Sequence, residues 1–264
     1  MASADVDATA QRVLTSTERL SKGLEAYQYS AIPAGFYDRV YREGSQVRRF
    51  WHRYKFQCVS EMVPAGARSL LDVACGPGSL MSIAHQTGLQ RFGTDVALGQ
   101  IDYAAKEYGD SATRFCVSRL PHLPFADESV DVVTLVEILE HLPEPEVRAS
   151  LAEAFRLLRP GGTLILTTPN YRSLWPLLEV VVNRLGGISY EEQHISRFNP
   201  MTARRVIEEA GFGVTQVSSF FTLAPFATAL SWRLGVRLHQ WERRWLRGTG
   251  ALILASAIKP ANLP

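Results

Sequence analysis

Past residue 68 the chain alternates short apolar runs with amphipathic stretches. SLLDVA (69–74), QRFGTDV (90–96), TRFCVS (113–118), VDVVTLVE (130–137) and TLILTTP (163–169) have the length and composition of buried strands. Residues 78–87 and PEVRASLAEAFRLL (145–158) space their apolar positions for helices, the second halted by RPGG. MTARRVIEEAGF (201–212) predicts a further helix with a glycine stop, VTQVSSFF reads as a polar-aromatic excursion, and GALILASAIKP predicts a last strand. Strands alternating with helices predict an α/β fold, a parallel sheet covered on both faces. Residues 5–63 read as helical and aromatic-rich. The pattern divides the chain into a helical cap (1–65), a core (66–220), an amphipathic helical insertion (221–250) and a last strand with its tail (251–264).

Composition narrows the class. A chain of 264 residues, 46% hydrophobic and 20% charged, can bury a sizeable core and is neither disordered nor fibrous. The formal charge of +2 argues against nucleic-acid binding by bulk electrostatics, leaving only local basic clusters. Cys58, Cys75 and Cys116 are far apart and lack a C-x-x-C, which fits reduced cytoplasmic thiols better than disulfides. MASADVDATAQRV has neither region of a signal peptide, and no run approaches the ~20 apolar residues of a membrane span. The expectation is a cytoplasmic protein, soluble or lying on a membrane surface without crossing it.

LLDVACGPGSL has the chemistry of a ligand-binding turn. Glycines let backbone approach a ligand, and N–H groups opening a helix favour negative charge. In open α/β sheets such ligands sit at the carboxyl ends of strands. A dinucleotide fingerprint would need glycine where Met81 stands, and a phosphate loop would need Gly-Lys-Ser/Thr, which is missing. Asp95 closes the second strand, where a carboxylate accepts from both hydroxyls of a ribose. The plain alternative is a tight turn beside an ordinary acidic strand end.

LLDVACGPGSL, GTDV, LPFADESVDVVTLVEILEHL, LRPGGTLILTTPN and EEAGF, in that order from about residue 66 to 220, resemble class I S-adenosylmethionine-dependent methyltransferases. The resemblance implies a seven-stranded Rossmann-like sheet with an antiparallel last strand, and S-adenosyl-L-methionine as cofactor. It implies that the loop from Asp72 through Ala74 and Gly76 to Gly78 holds the methionine portion. Asp95 would bind the ribose, Val96 would pack on adenine, and Leu120 and Val136 would complete the pocket. Two positions depart from the pattern. Ala74 replaces the first glycine of D-x-G-x-G-x-G, and Arg119 stands where many relatives carry an acid that accepts from the adenine amino group. Arginine only donates, so backbone or shape must hold the adenine.

VEILEHLPEP puts Glu137, Glu140 and His141 at i, i+3 and i+4, on one side of a helical turn where the carboxylates repel. Three roles stay open for them: metal ligation, metal-free acid–base or acceptor contact, and a structural turn. Among methyltransferases, the group acting on ubiquinone precursors resembles this chain most. The features are E-x-x-E-H, TPN, the apolar insert LWPLLEVVVNRLGGI, and EEQHISRF, which supplies His194. Small-RNA 3′-end methyltransferases resemble the same pattern. Both resemblances imply Mg²⁺ or another divalent metal on Glu137, Glu140, His141 and His194. They also make His141, His194 and Glu137 the expected catalytic residues, acting through a metal-bound oxyanion or as direct bases.

Two other stretches mix bases with aromatic residues. PFATALSWRLGVRLHQWERRWLRG (225–248) suits a lipid-headgroup boundary or a lid helix with a solvated basic side. RRFWHRYKF (48–56) suits a nucleic-acid surface or a helix covering the cofactor cleft. The expected function is metal-assisted O-methylation of a lipophilic small molecule: a quinone precursor, polyketide or lipid-linked sugar. Peripheral membrane contact accompanies it. The alternative is methylation of RNA or another nucleic acid, or N- or C-methylation of a small natural product.

Overall fold

The apolar runs form strands β1 (Ser69–Val73), β2 (Gln90–Asp95), β3 (Thr113–Val117), β4 (Val130–Val136), β5 (Leu158–Pro169), β6 (Gly213–Phe220) and β7 (Leu252–Ile258) in a computed structural model. They make one sheet in the order β3-β2-β1-β4-β5-β7-β6. β1 to β5 run parallel, while β7 is antiparallel to both β5 and β6. The structure describes residues 32–178, 194–246 and 248–261. The chain divides into Met1–Pro33 and Ala34–Pro264, and the elements described here belong to the second. β1 and β4 are central, and Leu70, Leu71, Val132 and Val133 are fully buried, as strands covered on both faces require. Strand order reverses between them, which opens a crevice beyond their carboxyl ends.

Helices α1 (Phe36–Glu43), α2 (Gln46–Glu61), α3 (Leu98–Tyr108), α4 (Glu144–Leu157), α5 (Pro200–Glu209), α6 (Ala224–Ala227) and α7 (Trp232–Trp245) complete the layers. The helix expected over 78–87 is absent. A single 3-10 turn, Ser79–Ser82, follows the loop, and Gly88 at φ 80° turns the chain toward β2. Leu80 and Met81 are still buried, but α2 and its exit cover this side, and Gln86 Nε2 donates to the Val63 carbonyl at 3.2 Å. VTQVSSFF belongs to the edge strand β6 rather than to an excursion. Thr215 and Gln216 sit on the exposed part of an edge strand whose one partner is β7.

Two clusters attach the helices to the sheet. Asp38 of α1 is fully buried and accepts from Ser79 Oγ (2.6 Å), Tyr103 Oη (2.8 Å), Arg42 Nε (2.9 Å) and the Tyr108 hydroxyl. It thereby holds the cofactor-type loop to α1 and α3. Phe50 of α2 is also fully buried, stacks on Tyr54 with ring centroids 4.1 Å apart, and meets Trp232 and His239 of α7 at 5.3 and 5.8 Å. These contacts bind α2 to α7 in one aromatic seam. Burial holds the His239 imidazole down to about 4 and pushes its neighbour, the Cys58 thiol, up to about 12, so both are neutral.

Candidate active site

β1 delivers Asp72, and the loop after it turns on left-handed residues: Ala74 at φ 57°, Gly76 at φ 52° and Gly78 at φ 78°. Glycine suits position 78, since an L residue is strained at this φ and its Cβ would press on Ala104 and Phe115 at 3.0 Å. At Gly76 a Cβ would meet nothing within 4 Å, so the loop's open side lies there. Ala74 occupies a conformation that costs glycine nothing and alanine about 1 kcal/mol. Asp72 is buried, Thr134 Oγ1 donates to its Oδ1 at 2.6 Å, and burial raises its pKa to about 7.

Asp95 organises the same crevice from the end of β2. Its Oδ2 accepts from the Gly76 N–H at 2.9 Å and its Oδ1 from the Ala97 N–H at 2.8 Å. Burial raises its pKa, opposed by these N–H donors. Each carboxylate oxygen keeps a further lone pair, enough for two sugar hydroxyls. Val96 and Val117, 36% and 47% exposed, offer apolar surface on either side. Ser118 Oγ and Arg119 Nη1 are buried without partners among the described residues. Leu120 and Val136 are half-buried. An exposed apolar face, unpaired donors and a diol-sized acceptor fit a nucleoside.

β4 ends in a second strained residue, Glu137 at φ 52°, whose N–H donates to the Thr167 carbonyl at 2.9 Å. Its carboxylate is ion-paired with Lys55, a buried lysine of α2. Glu140 follows in the 3-10 turn Leu139–His141 and is buried, its Oε2 accepting from Thr168 Oγ1 at 3.0 Å. Burial, then the Glu137 charge, raises its pKa to about 8. The Ile195 and Ser196 N–H groups donate to the Glu140 carbonyl at 2.8 and 2.9 Å, which brings His194 alongside. The His141 and His194 rings lie 5.0 Å apart, and Glu140, His141 and His194 each offer a ligand atom within 4.8 Å of the others.

One carboxylate and two imidazoles form a donor set suited to a divalent metal with open positions. The buried Glu140 carboxyl lacks an ion-pair partner among the described residues, which such a cation would supply. His194 Nδ1 lies 2.8 Å from the Tyr171 hydroxyl, a contact that orients the ring for work at its other nitrogen. The three residues therefore fit the ion. Glu137, expected as a fourth ligand, is turned to Lys55 instead. Sequence reasoning missed Lys55, Thr168 and Tyr171. Lys55 left a trace, since it falls on the side of α2 that buries Phe50, Cys58 and Val59.

Trp175 lies 6.2 Å from His194, Trp51 lies 5.8 Å from Trp175, and Phe221 lies 4.7 Å from Trp51, centroid to centroid. Aromatic rings thus wall the imidazoles on one side. Residues 179–193, which include most of the apolar insert (174–188), lie outside the described residues.

Residues 71–166 match the family model of a methyltransferase domain. This stretch, from β1 into β5, is the part of the chain that is similar to that domain. The C-methyltransferase UbiE of ubiquinone and menaquinone biosynthesis from Desulfotalea psychrophila is 29% identical over 162 residues, 59% of this chain and 63% of the relative. The ubiquinone biosynthesis O-methyltransferase of Methylococcus capsulatus is 28% identical over 154 residues, covering 53% of this chain and 64% of that one. Geranyl diphosphate C-methyltransferase from Streptomyces coelicolor, solved with Mg²⁺, geranyl diphosphate and S-adenosyl-L-homocysteine, shares the fold. Its TM-score is 0.55 at 18% identity, with 85% of this chain and 84% of that one covered. The chain spans 63% and 64% of the length of these two curated relatives. No described helix of the domain is long and apolar enough to cross a membrane.

Proposed function

We propose that this chain transfers a methyl group from S-adenosylmethionine to a hydroxyl oxygen of a lipophilic small molecule, assisted by a divalent metal on Glu140, His141 and His194. The observation carrying the reading is that the nucleoside-type crevice and this ligand cluster open from neighbouring central strands, β1 and β4. The bound donor and metal supply an electrophilic methyl group and a Lewis acid that acidifies the acceptor hydroxyl. Asp95 binds the ribose, Val96 and Val117 flank the adenine, and Ser118 and Arg119 donate to its ring nitrogens. Asp72 and the loop from Ala74 to Gly78 hold the amino-acid portion. Lys55 keeps Glu137 out of the metal's ligand set, and because both imidazoles would spend their lone pairs on the ion, the acidified hydroxyl gives its proton to water.

The aromatic wall of Trp51, Trp175 and Phe221 supports an apolar, ring-bearing acceptor. The Trp175 indole N–H, buried without an acceptor among the described residues, supplies a polar contact for it. Relatives acting on quinone precursors are consistent with this class.

Calorimetry tests both parts. S-adenosylmethionine should bind the wild type, and Asp95→Ala should weaken it by about 1–3 kcal/mol. Absence of binding at millimolar donor would end the proposal. Mn²⁺ should bind the wild type and not His194→Ala, whose donor affinity stays unchanged; equal Mn²⁺ binding would remove the metal and leave the methyl transfer.

A further inference from the structure

Of fourteen exposed large apolar side chains among the described residues, six lie between positions 223 and 245: Leu223, Phe226, Leu230, Leu234, Trp241 and Trp245. That concentration marks α6 and α7 as a surface with a purpose. α7 buries Gly235, His239 and Glu242 on its inner side. Outward, Leu234, Trp241 and Trp245 recur at spacings of seven and four, which makes one helical stripe. Leu230, 85% exposed, extends it.

Arg233, Arg237 and Arg244, spaced by four and seven, make the adjoining exposed stripe on the side toward α2. The one acid of α6 and α7, Glu242, is buried and accepts from the Thr222, Leu223 and Ala224 N–H groups at 3.1, 2.6 and 3.0 Å. No carboxylate therefore faces outward from these helices. Across the seam, exposed Arg49 and Arg53 of α2 line a cavity of about 230 Å³ with Tyr41, Arg42 and Trp232. Neither Arg49 nor Arg53, nor any arginine of the exposed stripe, has an ion-pair partner among the described residues.

We propose that α7 docks this protein on an anionic phospholipid surface. The Leu234–Trp241–Trp245 stripe enters the headgroup boundary, where an apolar ring body is buried and its N–H stays wet. The arginines beside it bind lipid phosphates by charge-assisted hydrogen bonds. A nucleic acid would use the arginines but would leave the leucines and the 65%-exposed Trp245 without a partner. The docking is independent of methyl transfer.

Sedimentation of the full chain with vesicles decides it. Vesicles of phosphatidylcholine with about 30% phosphatidylglycerol should bind at least tenfold more tightly than phosphatidylcholine alone, and about 0.5 M salt should erase most of the difference. Replacing Arg233, Arg237 and Arg244 together by glutamine should weaken binding by about fivefold per arginine, roughly 100-fold in all. Trp241→Asp with Trp245→Asp should abolish binding while leaving the circular dichroism and melting temperature intact. Equal binding to both vesicle types, no binding, or variants equal to wild type would overturn the proposal. So would RNA displacing the vesicles through the arginines with the tryptophan variants unaffected, since that assigns the face to nucleic acid.

Discussion

Lys55 has a function set by its neighbours. Two glutamates three positions apart reach the same crevice, and the lysine pairs with one of them, Glu137. That leaves Glu140 to the imidazoles. The division explains how two carboxyls share a buried space: Glu137 closes an ion pair with Lys55, and Glu140, raised to about 8, holds its proton at neutral pH. Lys55→Met is expected to lower turnover about 10–100-fold while donor affinity stays within about threefold, because the change reaches the chemistry through Glu137. Steady-state kinetics beside donor calorimetry checks it; a lower melting temperature with unchanged turnover would assign the lysine to stability alone. The sequence revealed Glu137, Glu140 and His141 as a group through spacing, but the partner that divides them comes from a helix 82 positions away.

At the level of elements, Glu242 shows how a side chain can cap a helix other than its own. It sits in α7 and collects three backbone N–H groups at the start of α6, donors that a helix start leaves unpaired. Glu242→Ala should cost about 2–4 kcal/mol by leaving those N–H groups unsatisfied, with Glu242→Gln recovering part of it. Thermal melts of the two variants measure the difference, and equal melting temperatures would show that water replaces the carboxylate. In the sequence Glu242 stood out only as the one acid among arginines. The helix expected over 78–87 stops after the 3-10 turn Ser79–Ser82, and beyond it Gln86 bonds the Val63 carbonyl past the end of α2.

For the whole molecule, burying acid at the sheet's centre links stability to pH. Asp72 has a native pKa of about 7, against an ordinary value near 4 in the unfolded chain. The native state thus holds an extra proton between these values, so the contribution of Asp72 to stability is greatest below pH ~4 and falls as pH rises to ~7, by roughly 4 kcal/mol. Urea unfolding across that window should show the fall in the wild type and not in Asp72→Asn. Parallel profiles would mean that Asp72 is ionised in the folded protein. The caps matter at this scale too: α2 and α7, far apart in sequence, close the sheet together through Phe50, Trp232 and His239.

Strand and helix periodicity, the glycine loop, the acid ending β2 and the E-x-x-E-H spacing are local, and for that reason the sequence alone determined the sheet, its crevice and most of the candidate site. Local chemistry also fixed which side chains could carry charge. Partner choice was decided by the tertiary structure. Whether Glu137 meets Lys55 or the histidines, whether His194 reaches His141, and whether VTQVSSFF pairs as an edge strand all depend on contacts between distant segments. No spacing rule encodes such contacts, because their energies exist only once the chain has closed around them.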